Sequence, residues 1–85
     1  MLEKMPDYYK FLGIKRNATK AEIKSAYRRA AKKYHPDKTN RFDANDMFNF
    51  THIAYCTLSN EDSRREYDVK LMSELYNTLL VEGKI

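Results

Sequence analysis

The sequence predicts an all-α fold, a small helical bundle built around an antiparallel hairpin of two amphipathic helices. Three observations carry this. Only two glycines and two prolines punctuate the 85 residues, too few for the closely spaced turns of a β-meander. A helix-start signature at Thr19-Lys20-Ala21-Glu22 opens a run in which Ile23, Ala26, Tyr27, Ala30 and Tyr34 recur at the spacing of one helical face. Beyond Pro36 and a polar stretch, Met47, Phe48, Thr51, Tyr55 and Leu58 keep the same period.

The elements follow in order. Residues 7 to 12, DYYKFL, predict one or two helical turns closed by Gly13 as C-cap. A short loop leads to the Thr19 capping box, where the Thr hydroxyl and the Glu22 carboxylate satisfy amides that a helix start leaves open. The helix that follows is amphipathic. Its back carries Lys24, Arg28, Arg29 and Lys32. Pro36 disfavours the helical region for the residue before it, so His35 is the last helical position or just past it. Residues 37 to 43 form a polar loop, and a second long helix starts at Asp43 to Asn45, either end of which can cap it. Ser59-Asn60-Glu61-Asp62 offers another capping box, opening a short charged helix through Tyr67-Asp68. Val69, Met72, Leu75, Tyr76, Leu79 and Leu80 then hold helical spacing as far as Gly83.

Eighty-five residues make one domain near the lower limit of independent folding, where only about 60% of the unfolded chain's surface is buried. No apolar run approaches the roughly 18 residues of a membrane span, and MLEKMPDYYKF lacks the apolar segment of a secretory signal. The single cysteine, Cys56, excludes an internal disulfide framework and favours a reducing compartment. A cytoplasmic or nuclear location is the expectation. Net charge is +4, yet the window from Lys20 to Lys38 alone holds seven basic residues against Glu22 and Asp37. That window carries +5 and leaves −1 for the rest. Such local basicity points to an acidic partner surface, protein or nucleic acid.

The two long helices and their loop form an αα-hairpin with His35-Pro36-Asp37 near its tip. Proline fixes φ, so the imidazole and carboxylate beside it project from an exposed loop in restricted geometry. These groups can compete for hydrogen bonds and ion pairs on a partner; alone they cannot do chemistry.

DYYKFLGI (7–14), EIKSAYRRAAKKYHPDK (22–38) and AYCTLSNEDSRREYD (54–68) together resemble the J domain, the DnaJ-like co-chaperone family, in order and spacing. The resemblance covers residues 7–68, about three quarters of the chain. It implies a hairpin of the second and third helices braced by short first and fourth helices. It also implies binding to a 70-kDa heat-shock chaperone and stimulation of its ATP hydrolysis, near that chaperone's nucleotide domain and linker, in the service of protein folding. The family's tripeptide, required for that stimulation, falls on His35, Pro36 and Asp37. Its basic contacts fall on Lys24, Arg28, Arg29 and Lys32, with Tyr27 and Lys38 at the margin. Clients would be held by regions that this chain does not contain. The chain departs from the family pattern in three places. Ala30 replaces a usual leucine, Thr51 a usual aliphatic residue, and Ile53 a commonly charged one on the exposed face.

The resemblance leaves 1–6 as an N-terminal extension and 69–85 as a C-terminal one. The apolar stripe predicts a helix over 69–81, packed on the outer side of the third helix near Ile53. Self-association, or a frayed tail whose partner is a downstream domain, are the alternatives.

A basic helical face is most often solvated surface. His35 and Asp37 lack a third and fourth ligand at useful spacing, so no metal or other cofactor is expected. Cys56 has no evident base and reads as a small packing residue. Tyr8, Tyr9, Phe11, Phe48 and Tyr55 at helical spacing read as core before they read as a base-stacking platform. No nucleophile–base pair or glycine-rich phosphate loop supports an enzyme, and no catalytic residue is assigned. The competing class is a basic helical nucleic-acid-binding domain with 20–34 as recognition helix. It accounts for the stripe but not for the tripeptide, and the stripe offers no Asn or Gln to read bases.

Overall fold

A computed structural model describes residues 5–81 and Gly83. Four helices follow in order: α1 (Tyr8–Leu12), α2 (Lys20–Tyr34), α3 (Ala44–Ser59) and α4 (Glu61–Val81). No strand occurs among the described residues. The N-terminal extension read from the sequence lies largely outside them, as do Glu82, Lys84 and Ile85.

Local chemistry sets most of the boundaries. The Asp7 carboxylate accepts from the Lys10 amide at 3.1 Å and starts α1. Gly13 ends it at φ +72°, the left-handed conformation that lets its amide and that of Ile14 return to the Lys10 and Tyr9 carbonyls. Thr19 and Glu22 make both bonds of the capping box, at 3.0 and 3.1 Å. The second helix stops at Tyr34, and His35 is extended (φ −61°, ψ 126°), as the following proline requires.

Two start signals act differently from expectation. Asp43 stands at the N-cap of α3 without capping it by its side chain. Arg41 occupies both carboxylate oxygens instead, from Nε at 2.8 Å and Nη2 at 3.0 Å. Asn45 already lies inside the helix. At the next corner the cap is Asn60, not Ser59: its side-chain oxygen accepts from the Asp62 and Ser63 amides at 2.9 and 3.1 Å. Ser59 stays the last residue of α3, so a single extended residue separates the helices. The Ser63 hydroxyl reaches back to the Thr57 carbonyl at 2.7 Å and fixes that corner.

The hairpin is antiparallel, since His35 meets Phe48 while Tyr27 meets His52 and Tyr55. Ile23 and Ala26 of α2 face Thr51, Ala54 and Leu58 of α3, all buried. Alanines at this seam allow close approach of the helix axes. Ala54 and Ala44 are buried in addition to the residues expected there, whereas Met47, Phe48 and Tyr55 are half-buried. Tyr9 and Leu12 from α1, Ala18, and Tyr67 and Leu71 from α4 close the core. Burying such side chains contributes about 25 cal/mol per Å² of apolar surface, the dominant favourable term for a domain this small.

The outcome for 69–81 differs from the packing expected. These residues are helical but continue α4 without a break. Tyr67 and Leu71 face the core and thereby set the rotational phase of the whole helix. Val69, two residues from each, points roughly opposite at about 100° per residue, and Met72, Tyr76 and Leu80 follow it outward. The stripe does not reach Ile53, which is itself 53% exposed. The inward flank is tied down by Glu74, whose two carboxylate oxygens accept from the Met5 amide at 2.9 and 2.7 Å. No described helix is long and apolar enough to cross a membrane.

Candidate functional site

The end of α2 delivers His35, Pro36 and Asp37 into a tight turn closed by the Lys38 amide on the His35 carbonyl at 2.9 Å. Within it the Asp37 amide donates to His35 Nδ1 at 3.2 Å. A ring nitrogen that accepts carries no proton, so the neutral imidazole holds its proton on Nε2. The Asp37 carboxylate lies 3.8 Å from Nδ1 and is 89% exposed. An accepting Nδ1 has no proton to give that carboxylate, which stays free to engage a cation. The His35 ring meets Phe48 of α3 edge-on, at 5.3 Å between centroids and 75° between planes. This contact orients the imidazole without burying it.

The loop is stiffened on its far side. Arg41 pairs with Asp43 and also lies over the Tyr34 ring at 5.5 Å. Its hydrogen bond holds the Asp43 carboxyl below the usual carboxylate range and raises the guanidinium in turn. Phe42, between the two paired residues, is fully exposed.

Along α2, Lys24, Arg28 and Lys32 recur every fourth residue as one exposed row. Among the described residues none of Lys24, Arg28, Arg29, Lys32 and Lys38 lies within ion-pair distance of a carboxylate. Lys20, by contrast, pairs with Glu61 at 3.4 Å. Tyr27 flanks the row, half-buried, its ring stacked on Tyr55 at 4.2 Å and 19°. Arg29 stands apart. It is turned roughly 200° from Tyr27 about the helix axis and borders a shallow depression with Gly13, Ile14 and Ser25.

Phe48, His52 and Tyr55, which wall the site from α3, were not singled out as functional by sequence. Their i, i+4, i+7 spacing opposite Tyr27 and His35, in an antiparallel hairpin, is the signal that could have found them. Cys56 lies on the outer side of the same helix and is exposed, against the expectation of a packing residue. Ala54 and Leu58 take the inward positions beside it. Among the described residues no group of three or more His, Cys, Asp or Glu could hold a metal ion.

The family model for the DnaJ domain matches residues 7–68. The chaperone protein DnaJ of Chlorobium luteolum is 56% identical over 63 residues, which cover 73% of this chain and 16% of the relative. That of Hydrogenobacter thermophilus is 49% identical over 67 residues, 79% of this chain and 19% of the relative. That of Geobacillus stearothermophilus is 50% identical over 62 residues, 73% and 16% respectively. The chain thus spans less than a fifth of the length of the curated relatives it matches.

Proposed function

The chain belongs to the DnaJ-domain family, and on that premise we propose that it docks on a 70-kDa heat-shock chaperone and stimulates its ATP hydrolysis. The observation that carries this reading is the row of Lys24, Arg28 and Lys32, without carboxylate partners among the described residues, leading to the His35-Pro36-Asp37 turn and its exposed Asp37 carboxylate.

Docking starts with the cationic row. Unpaired charges on one face steer an acidic surface into register and raise the encounter rate. Tyr27 adds an aromatic edge beside the row, and Lys38 extends the charge past the turn. The turn then meets the chaperone. Asp37, with a free carboxylate, pairs with a cation there, and His35 offers its Nε2 proton to an acceptor, while Pro36 holds their separation. Arg29, on the other flank, contributes through long-range field more than through contact.

The module supplies no catalytic group. A ligand shifts an equilibrium only by its differential affinity for the two states. Preferential binding to the hydrolysis-competent chaperone supplies a coupling of about 1–3 kcal/mol. Client capture in folding would rest on regions beyond this module.

The test is the ATPase rate of a purified bacterial 70-kDa chaperone with and without this chain. Wild type should raise the rate; His35→Gln should not, with an unchanged helical circular-dichroism spectrum. Full stimulation by His35→Gln refutes the reading. Sequence-specific binding to duplex DNA that survives physiological salt would favour the nucleic-acid reading instead.

A further inference from the structure

Tyr27 and His35 lie two turns apart on the α2 side of the site, yet one set of rings joins them. His52 of α3 stacks on Tyr27 at 5.6 Å and 18°, and its Nδ1 lies 2.9 Å from the Tyr27 hydroxyl. It stacks in turn on Phe48 at 6.0 Å and 27°, and Phe48 abuts the His35 ring. With Tyr55 under Tyr27, the series Tyr55, Tyr27, His52, Phe48, His35 forms a continuous aromatic ladder. It crosses the hairpin three times and ends at the tripeptide. His52 is the rung that links Tyr27 to Phe48.

We infer that His52 is a positioning residue, which locks Tyr27 and, through Phe48, His35 into one preformed docking surface. The inference deepens the proposed function and rests on it. Its basis is spacing and exposure. Phe48 and His52, one turn apart on α3, stack along the helix, and Tyr27 of α2 stacks on both His52 and Tyr55 from the facing helix. His52 is exposed and outside the core; the fold does not need it for burial. What it does supply is order. The hydrogen bond holds the Tyr27 phenol, already stacked on Tyr55, at the edge of the cationic row, and the stack on Phe48 narrows the orientations open to the imidazole. Side chains ordered before binding need not be ordered during it, and that difference appears as affinity.

The experiment uses the full chain with His52→Ala and His52→Phe. It reads the half-maximal concentration for ATPase stimulation and the ring-proton NMR shifts of Tyr27 and His35 in the free chain. His52→Ala should raise the half-maximal concentration about three- to tenfold, the effect of one or two side chains left unordered. The Tyr27 and His35 ring protons should move toward the positions of isolated exposed rings, with circular dichroism unchanged. His52→Phe keeps the stack without the hydrogen bond, so it should retain the His35 shift and recover part of the lost affinity. Unmoved His35 and Tyr27 rings in His52→Ala overturn the inference whatever happens to stimulation, because a direct contact with the chaperone would then explain any loss. An unchanged half-maximal concentration overturns it too. If wild type stimulates nothing, the proposed function fails by itself, and the ring shifts still decide whether the ladder positions His35.

Discussion

The Tyr9 hydroxyl donates a 2.6 Å hydrogen bond to the Asp68 carboxylate and accepts one of 3.0 Å from Arg64 Nε. This node ties the shortest helix, α1, to the longest, α4. Arg64 extends it by donating from Nη2 to the Arg16 carbonyl at 2.9 Å. Five residues of α1 cannot stand as a helix alone; the node and the buried Tyr9 ring hold it in place. Tyr67 adds a second tie, accepting from the Tyr8 amide at 3.0 Å and donating to the Pro6 carbonyl.

Tyr9→Phe should therefore cost about 1–3 kcal/mol, because it leaves Asp68 and Arg64 without their shared partner. At about 4–8 °C per kcal/mol for a domain of this size, the change is readily seen by calorimetry. The pH dependence follows from the same hydroxyls. Burial, and for Tyr9 next the Asp68 carboxylate, raises both phenols above their ordinary value. The folded state then keeps protons that the unfolded chain releases near pH 10. Stability from this source is fully present below about pH 10 and is lost as pH rises through the folded-state values. Tyr9→Phe should show a smaller alkaline loss than wild type in pH-dependent melts. An equal loss would assign the alkaline limb to other groups.

Thr51→Val should stabilise the domain. Thr51 is fully buried, and its hydroxyl donates to the Met47 carbonyl one turn back at 2.7 Å. That carbonyl already takes the helical amide bond, so removing the hydroxyl orphans nothing. Valine keeps the shape and replaces a desolvated hydroxyl with a methyl group in a core facing Ile23 and Ala26. A gain of about 0.5–1 kcal/mol is expected. A fall in melting temperature would show that the hydroxyl serves more than its own helix.

What the sequence made legible is what depends on a few adjacent residues. Gly13, the Thr19–Glu22 box and the stop at Pro36 each satisfy or deny backbone bonds within one turn, and all three act as read. The tripeptide's place at a hairpin end was legible for the same reason. Competition between neighbours was not. Asp43 is a good capping residue, but Arg41 two positions earlier outbids its backbone amides with a two-pronged charged bond. Ser59 and Asn60 both suit an N-cap, and only the geometry of the corner chose Asn60. His52 and Phe48 gain their meaning from an antiparallel pairing register that no local pattern states. The outward stripe of α4 had the right period and an unforeseen phase, because Tyr67 and Leu71 had already fixed which side faces the core.

Charge reversal at Arg28 and Lys32 tests the docking row. Both are exposed, so folding should change by no more than about 0.5 kcal/mol. Binding to the chaperone should weaken, and its dependence on salt should flatten, since screened long-range attraction between the row and an acidic surface is what salt removes. The measurement is affinity at several salt concentrations for wild type and the double variant. Undiminished salt sensitivity would place the docking face elsewhere. The same reversal at Arg29 should have a smaller effect on the dissociation rate, because that side chain lies on the opposite flank from Tyr27.

The far half of α4 sets up a gradient that hydrogen exchange can read. Among the described residues Leu71 is the last buried one of the helix, and Glu74 is the last that holds another segment, through the Met5 amide. Beyond it Leu75, Tyr76, Leu80 and Val81 are exposed, and the Thr78 hydroxyl bonds only to the Glu74 carbonyl one turn back. With Thr78 and Leu79 only half-buried, these last two turns have little to offset the entropy of ordering their backbone, about 1–2 kcal/mol per residue. Protection should therefore be high through Leu71, intermediate near Glu74 and low from Tyr76 to Val81, falling along one continuous helix rather than at a domain boundary. Glu74→Gln should steepen the fall, because a neutral amide offers one acceptor oxygen where the carboxylate offers two. Uniform protection from Glu61 to Val81 in dilute solution would contradict this, since it would require the outward stripe of Val69, Met72, Tyr76 and Leu80 to be covered.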